Sequence, residues 1–373
     1  MTRMAEQATS PVLHIPDLLD RQECELLAAI WHGYSPYRPS SDPHLEDRAP
    51  VSIRQRAFAL PPISAHSKFE FPNTLGSRFD AGQNFMRTGG RFGRFDKDRM
   101  VSRARTDYFR ETYANRYRTF ASGIEFLLDH ESTAASAVRL YDLPKVVPIL
   151  VYANLLLPGQ ELGLHTDVPE FRLPPGVQLP SWLRVVMCHS GLFERWRVSV
   201  ATVIVYLGHA TTGGELAYFP DGSDTAAAVI APREGEAVVL DADTTFHGVD
   251  RVGDPSAAMA TVVTKSRLVH QGNGHWDLRG PEGAGLGVVE SFASDTLRFS
   301  ASWKGCCFAD QADMMRWETH TDDLPVDQII DRLVDELVAR GRLFRDAHVT
   351  NDQLGMLFVD EFIRFPSPEA TTE

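Results

Sequence analysis

The strongest constraint on the fold lies in the second half of the chain, where short apolar runs alternate with turn-forming residues. From about residue 146 onward, Gly, Pro and Asp separate these runs. They read VVPILVYANLLL, VSVATVIVYLG, GELAYFP, AAAVIAP, EAVVLDA and MATVVTKSRL. Apolar runs of this length between turn signals are typical of strands, and several in succession predict an antiparallel sandwich or barrel.

Helical patterns flank this region. VLHIPDLLDRQECELLAAIW predicts a short strand and then a helix, because Asp20 and Glu23 have the spacing of a capping box. TDYFRETYANRYRTFASGIEFLLDH has its large apolar residues at helical spacing and predicts a second helix. STAASAVRLYDL and PVDQIIDRLVDELVARGRLF predict two more. Residues 40–105 are rich in Pro, Gly, Arg and Asp and predict long loops.

Charge and cysteine usage narrow the class of protein. A length of 373 residues fits two average domains or one large β domain with helical additions. The net charge of −13 argues against a nucleic-acid partner, which would need a basic face. The start lacks an apolar signal-peptide region, and no apolar run is long enough to span a membrane. The four cysteines follow no zinc or disulfide spacing, so we expect a cytoplasmic protein. Because no apolar run could span a membrane, we also expect no membrane partner.

The pattern His-x-Asp occurs three times, at 165/167, 275/277 and 320/322. On a strand, residues two apart point to the same side, so such a pair directs an imidazole and a carboxylate at one point. His165 and Asp167 follow an apolar strand and a Pro-Gly turn, as this geometry requires. The second pair lies in a Gly-rich segment, and an Asp of the third resembles a helix cap. The first pair is therefore the candidate metal site.

A third ligand must come from another strand. His247 stands at the end of the apolar segment EAVVLDADTTFHGVDRV. Two histidines and one carboxylate on a β scaffold form a facial triad with open positions, which suits non-haem Fe(II). Structural zinc would require four protein ligands. The alternative interpretation is that these three are ordinary polar residues in turns.

Four segments, in this order, carry a resemblance to a known family. They are HIPDLLDRQECELLAAI, NLLLPGQELGLHTD, GGELAYFP and FHGVDRV, and together they span most of residues 11–252. The chain resembles the Fe(II)/2-oxoglutarate-dependent oxygenases, most closely their prolyl-hydroxylase-like branch. The resemblance implies that His165, Asp167 and His247 bind Fe(II) and that 2-oxoglutarate and O2 are the co-substrates.

The resemblance also implies a fold. It is an α+β fold with a double-stranded β-helix (jelly-roll) core, N-terminal helices packed on that core, and a C-terminal helix. Residues 1–373 would form a single oxygenase domain. Within it, about 11–145 supply a strand, loops and helical support, and about 146–303 form the core with an insertion near 253–296. About 304–373 form a C-terminal helical extension.

The residues that hold the far carboxylate of 2-oxoglutarate are less directly implied. The family's usual basic position, about ten residues after the distal histidine, falls in SAAMA, which has no basic residue. Arg298 and Ser300, in DTLRFSASWKGCCF, resemble the family's Arg-x-Ser pattern and place the last core strand at 296–303. Lys265 is the rival. Asn154 matches a co-substrate contact of the nucleic-acid dealkylase branch, or is a structural turn residue, and Tyr152 is a further candidate.

The reaction implied is hydroxylation of an unactivated C–H bond, with release of succinate and CO2. Asp167 favours hydroxylation, desaturation or ring formation, since the family's halogenases leave its position empty for chloride. A small-molecule substrate, such as an amino acid or a natural-product intermediate, fits best. Arg87, Arg91 and Arg94 belong either to an anion-recognising lid or to a solvated loop. The alternative functions are a cupin-type metal dioxygenase or isomerase that needs no 2-oxoglutarate, and a non-catalytic β-helix binding protein.

Overall fold

The computed structural model describes most of the chain outside residues 40–105, the segment in which long loops were predicted. The described residues are 11–40, 60–64, 67–69, 108–177, 179–207, 212–222, 225–254, 260, 262, 265–281, 287–349 and 351–363. Most of the loops expected over 40–105, including Arg87, Arg91 and Arg94, lie outside the described residues. So does most of the strand expected over MATVVT.

The described strands fall mainly in the second half of the chain. They are β1 (Val12–Ile15), β2 (Arg38–Pro39), β3 (Leu60–Ser64), β4 (Ser67–Phe69), β5 (Phe109–Asn115), β6 (Arg118–Thr119), β7 (Lys145–Leu156), β8 (Leu162–His165), β9 (Glu170–Phe171), β10 (Arg197–Leu207), β11 (Leu216–Tyr218), β12 (Ala228–Ile230), β13 (Ala237–Leu240), β14 (His247–Val249), β15 (Arg267–Gly272), β16 (His275–Arg279), β17 (Val288–Ala293) and β18 (Arg298–Phe308). The helices are α1 (Arg21–Gly33), α2 (Glu125–Leu128), α3 (Glu131–Tyr141), α4 (Ser181–Ser190), α5 (Gln311–Glu318), α6 (Ile329–Ala339) and α7 (Asn351–Phe362).

Two antiparallel sheets make up the centre of the molecule. The major sheet has the order β1-β13-β10-β18-β7-β5-β2, with β6 added to β5 and β9 to β10. The minor sheet has the order β12-β11-β14-β8. A separate three-stranded sheet, β15-β16-β17, comes from residues 267–293, and β3 pairs with β4. The described part of the chain is thus a mixed helix-and-sheet fold with antiparallel sheets.

The alternation along β18 shows how the major sheet is covered. Phe299, Ala301 and Trp303 belong to one buried apolar cluster with residues of α1 and α3, so this face packs against the helices. The intervening residues are polar, and they lie on the opposite face because successive strand residues alternate in direction. The minor sheet covers that opposite face: Tyr206 of β10 and Leu216 of β11 share one buried cluster. The space between the two sheets is therefore lined by the polar side of β18.

The local helix signals are confirmed where they are strongest. Asp20 caps the N-terminus of helix α1: its side chain accepts a hydrogen bond from Glu23 N at 2.9 Å, while the Glu23 side chain accepts one from Asp20 N at 2.9 Å. This is the capping box that the sequence predicts. Helices α3 and α6 also form in the segments expected to contain them.

The prediction of one helix over residues 106–130 is wrong. Residues of this segment form β5, β6 and the short helix α2. Phe109 and Tyr113 are four residues apart, a spacing that suits one face of a strand as well as one face of a helix. Strand β7 is long, and pairing with it supplies β5 with backbone hydrogen bonds along its length. This long-range pairing outweighs the local helical pattern.

The last two helices, α6 and α7, belong to a second apolar cluster. Trp182 and Leu183 of α4 pack there with Ile330 and Leu333 of α6 and Phe358 of α7. No helix in the described part of the chain is both long and apolar enough to cross a membrane.

Candidate metal centre and carboxylate pocket

His165 and His247 are direct cross-strand partners in the minor sheet. His165 ends β8 and His247 begins β14, and the two are paired in the antiparallel register. Directly opposed residues share one face of a sheet. The ring centroids lie 4.4 Å apart, and the two residues are 1% and 5% exposed. Strand pairing therefore brings together two histidines that are 82 residues apart in the sequence.

Asp167 completes the group, but not through the strand geometry that the sequence suggested. Strand β8 ends at His165, and Asp167 lies just beyond it. Its backbone N–H donates to Ala242 O at 2.7 Å, which holds this turn against the segment before His247. Asp167 Oδ1 is 3.6 Å from His165 Nε2. Each of the three side chains offers one ligand atom within 4.8 Å of the others.

The hydrogen bonding of His247 orients it as a metal ligand. His247 Nδ1 is 2.9 Å from Thr245 O, and a carbonyl oxygen only accepts, so Nδ1 carries the proton. Nε2 of the neutral ring then carries the lone pair that a metal requires. Ligands at right angles around one ion, each about 2.1 Å from it, would be roughly 3 Å apart. The three side chains fit such an ion after a small inward shift.

Lys304 extends the centre across to the major sheet, and the sequence analysis missed it. Its Nζ donates to Asp167 Oδ2 at 2.7 Å. Burial alone would lower the pKa of Lys304, but Asp167, with Tyr152 and Asp243, raises it above its ordinary value. Lys304 is thus a half-buried ammonium group that holds one of the two Asp167 oxygens. The sequence signal that could have identified Lys304 is the alternation of polar residues at Arg298, Ser300, Ser302 and Lys304.

A second buried acid lies near this pair. Asp243 is fully buried, and neither carboxylate oxygen has a hydrogen-bond partner among the described residues. Burial raises the pKa of Asp243 to about 7, against the opposing charge of Lys304. Its neighbour Asp241 is paired with Arg197 at 3.2 Å. The region behind the metal centre is therefore charged and poorly solvated.

Arg298 forms a separate pocket on β18. It is 2% exposed; Nε donates to Gly214 O at 2.6 Å, and Nη1 donates to Ser300 Oγ at 3.3 Å. Within hydrogen-bonding distance, neither Nη2 nor the buried Tyr206 hydroxyl has a partner among the described residues, although the two groups are close enough that each shifts the pKa of the other. The guanidinium carbon is 5.3 Å from the Tyr206 ring centroid. Burial lowers the pKa of Arg298 from its ordinary value.

A buried guanidinium without a counter-ion is costly, so this pocket is suited to an anionic ligand. A carboxylate can accept from Arg298 Nη2 and from the hydroxyls of Ser300 and Tyr206 at once, which satisfies the unpartnered donors. Tyr206 was not expected from the sequence. The only indication in the sequence was that a tyrosine, which carries a polar hydroxyl, stands near the end of the apolar run VSVATVIVYLG.

Two glycines allow Arg298 to reach this position. Gly213 and Gly214 both have positive φ, +73° and +76°. A Cβ on Gly213 would lie 2.2 Å from Arg251 O, and one on Gly214 would lie 2.9 Å from Arg298 Cδ. The Gly-Gly pair of GGELAYFP therefore serves both the turn and the close approach of the arginine side chain.

The remaining sequence candidates fall in different places. Asn154 is the direct cross-strand partner of Ser300, and its Nδ2 donates to Ser302 Oγ at 3.3 Å. Its Oδ1 is buried without a partner in the described part of the chain. Tyr152 lies two residues away on the same face of β7. Lys265, the rival to Arg298, is exposed.

Comparisons with known proteins give structural similarity at low sequence identity. No protein-family model matches the chain, and no curated protein matches it. It is similar to an oxidoreductase of the 2OG-Fe(II) oxygenase family from Burkholderia pseudomallei (12% identity, TM-score 0.36, covering 79% of this chain and 85% of that one).

Two further solved structures show a comparable degree of similarity. One is a prolyl-4-hydroxylase from Pseudomonas putida (11% identity, TM-score 0.35, 81% and 94% covered). The other is HygX from Streptomyces hygroscopicus with nickel, 2-oxoglutarate and hygromycin B bound (13%, 0.35, 80% and 84%). Because identities and TM-scores are low, the function proposed below rests on this chain's own residues.

Proposed function

We propose that this protein is an Fe(II)- and 2-oxoglutarate-dependent oxygenase that hydroxylates a small molecule. The observation that carries the proposal is a pair of complementary sites between the two sheets. The minor sheet brings His165, Asp167 and His247 together, and the major sheet presents the buried guanidinium of Arg298. A metal that keeps open positions and a separate carboxylate pocket are what a chelating 2-oxoacid needs.

In this proposal the three ligands would hold one Fe(II). Lys304 holds Asp167 Oδ2, which would leave Oδ1 as the oxygen available to the metal. Bound iron with 2-oxoglutarate supplies the activation of O2, coupled to the conversion of the 2-oxoacid to succinate and CO2. The protein's own part is to fix the ligands, orient the co-substrate and exclude water.

Arg298, Ser300 and Tyr206 would bind the far carboxylate of 2-oxoglutarate. Their donors are buried, so each hydrogen bond forms in a medium of low dielectric and is stronger than in water. Asn154, next to Ser300 in the sheet, would contribute a further polar contact. Tyr152 lies on the same face, closer to Lys304, and is better placed to face the substrate.

The fold proposed with this function is a double-stranded β-helix, formed by the major and minor sheets. Residues 1–373 would be one oxygenase domain, with β15-β16-β17 carried by an insertion near 253–296. The carboxylate of Asp167 supports hydroxylation over halogenation, since it would take the metal position that chloride would need. The net charge of −13 supports a small-molecule substrate over a nucleic acid.

The test is formation of succinate by purified protein supplied with Fe(II), 2-oxoglutarate and O2, with and without added metabolites. Succinate should appear only when all three components are present, and His247→Ala should abolish it. The matched control is His275→Ala, which alters the exposed histidine of the His-x-Asp pair in β16 and should leave succinate formation unchanged. Turnover of a substrate without 2-oxoglutarate would instead favour a cupin-type dioxygenase. Metal binding without any turnover would favour a binding protein.

A further inference from the structure

A second cation lies on the same inner face of the major sheet and belongs to neither the metal centre nor the Arg298 pocket. Arg110 of β5 is the direct cross-strand partner of Asn154 of β7, which in turn is the partner of Ser300 of β18. Directly opposed residues in antiparallel strands share a face. Arg110 therefore projects to the same side as the Arg298 pocket, two strands away from Ser300.

The guanidinium of Arg110 has no counter-ion within the described structure. The nearby acid, Glu111, is taken by Arg38, which donates to both of its carboxylate oxygens at 2.6 and 2.9 Å. Lys304 is paired with Asp167. Among the described cations on this face, only Arg110 and Arg298 lack a carboxylate partner. Arg110 is half-buried, so a ligand can reach it.

Tyr152 holds this guanidinium in a defined orientation. The Arg110 guanidinium carbon lies 4.0 Å from the Tyr152 ring centroid. Stacking on an aromatic ring uses the flat face of the guanidinium and leaves its in-plane N–H groups available. Those groups form the fork that matches the two oxygens of a carboxylate. Arg110 is thus oriented for an anion before any ligand arrives.

The position of Arg110 separates its ligand from the co-substrate. Arg110 is two strands from Ser300, roughly 10 Å between Cα atoms. From Lys304, which marks the metal centre, it is two strands and four residues away, roughly 16 Å between Cα atoms. The Arg298 guanidinium lies by Tyr206 of β10, whereas the Arg110 guanidinium lies over Tyr152 of β7, so the two unpaired groups are separate sites. A molecule held at Arg110 would present a more distant part of itself to the metal.

We infer that Arg110, stacked on Tyr152, is the substrate-recognition site of the enzyme and that the substrate carries a carboxylate remote from the carbon that is oxidised. The inference rests on the proposed function, because it treats the Arg298 pocket as occupied by 2-oxoglutarate. It makes Arg110 a specificity-determining residue and Tyr152 the residue that positions it.

The test uses a minimal pair of probes, hexanoate and hexanamide, which have similar shape and differ in charge. Their binding is measured by ligand-observed NMR on the full chain, under nitrogen, with Fe(II) and saturating 2-oxoglutarate, so that the Arg298 pocket is filled. Hexanoate should bind and hexanamide should not. Arg110→Ala should weaken hexanoate binding at least tenfold while the affinity for 2-oxoglutarate stays unchanged.

Two further variants separate orientation from charge. Tyr152→Leu keeps the cation but removes the ring, so hexanoate binding should weaken by less than in Arg110→Ala. Arg118→Ala is the matched control: Arg118 is an exposed arginine of β6 that stacks on Phe120, and its loss should change nothing. Equal binding of acid and amide, no binding of hexanoate to the wild-type protein, or unchanged hexanoate affinity in Arg110→Ala would each overturn the inference.

Failure of the proposed function has a different signature. If 2-oxoglutarate does not bind, hexanoate is titrated into Arg298→Ala protein without co-substrate, where Arg110 is the remaining unpaired guanidinium among the described residues of this face. If hexanoate binds to the Arg298→Ala protein and no longer binds when Arg110→Ala is added, the Arg110 site is supported even though the proposed co-substrate is wrong.

Discussion

Lys304 Nζ and Asp167 Oδ2 are 2.7 Å apart, and this half-buried ion pair joins the major sheet to the candidate metal centre. An ion held by Asp167 Oδ1 would lie about 5 Å from the ammonium group. At that distance the repulsion between the two cations is several kcal/mol for an effective dielectric constant of about 20. A hydrogen-bonded partner that orients a metal ligand typically raises the metal affinity about 10–100-fold. This gain is smaller than the loss from the repulsion between Lys304 and the ion.

Lys304→Met should therefore bind a divalent ion such as Co(II) more tightly than the wild-type protein. Asp167 would then be able to offer both oxygens, so fewer positions stay open and 2-oxoglutarate should bind more weakly. Calorimetric titration of Co(II), and then of 2-oxoglutarate, measures both effects. Lys304→Arg keeps the charge and is the control. Weaker Co(II) binding in Lys304→Met than in Lys304→Arg would refute the argument.

Gly214→Ala should damage the carboxylate pocket. The added Cβ would lie 2.9 Å from Arg298 Cδ, so the arginine must move. Gly176→Ala is the matched control, because Gly176 has a similar φ of +80° but open space around it. Both variants should lose about 1–2 kcal/mol of stability from the left-handed backbone. Only Gly214→Ala should weaken 2-oxoglutarate binding tenfold or more, and equal affinities in the two variants would contradict this account.

His189, whose Nε2 is buried, should make folding stability fall in mild acid. Burial lowers the pKa of His189 to about 4, and Arg197 adds to the effect. Since the folded pKa is below the unfolded value of about 6.5, the unfolded state binds the proton first. The contribution is complete above about pH 6.5 and is lost as the pH falls toward 4, up to about 3 kcal/mol.

Urea unfolding at pH 7.5 and pH 5 measures this contribution. His189→Leu removes the titrating ring, so its stability should fall less between the two pH values than that of the wild-type protein. His32 and His270, whose pKa values are also lowered by burial, remain in both proteins and cancel in the comparison. An identical decrease in both proteins would show that His189 is not the group responsible.

The four cysteines should resist alkylation in the folded protein. All are free and buried. Burial raises the pKa of Cys24 to about 11 and that of Cys188 and Cys307 to about 12, and it raises the pKa of Cys306 well above its ordinary value. The thiolate is the reactive form. Mass spectrometry after iodoacetamide treatment at pH 8 should show unmodified native protein and four adducts after denaturation. Rapid native labelling of any of the four would contradict their burial.

The features that the sequence predicts well are those set by nearby residues. Helix α1 has its capping box within four residues, and β7 and β10 are apolar over most of their length. His165, Asp167 and His247 were found because each follows or begins an apolar strand. The secondary-structure prediction that failed depended on contacts between distant segments. The segment 106–130 was misassigned because its pairing with β7 is not a local property.

The same limit applies to the site. Lys304 is 137 residues from Asp167, and only the pairing of β10 with β18 and the facing of the two sheets bring them together. Arg110 belongs to the segment read as a helix, so its alignment with Ser300 could not be inferred. The alternation of polar residues along β18 was visible in the sequence, and it indicated a polar inner face without indicating what lies opposite.

The most direct test of the central claim is a calorimetric titration of 2-oxoglutarate into the protein under nitrogen, with and without Fe(II). We predict one binding site that requires the metal, is lost in His247→Ala, and is weakened at least thirty-fold in Arg298→Ala, as loss of a buried charge pair of about 2–5 kcal/mol implies. In Lys265→Ala the affinity should be unchanged. Binding that needs no metal, or that survives in Arg298→Ala but not in Lys265→Ala, would contradict the account.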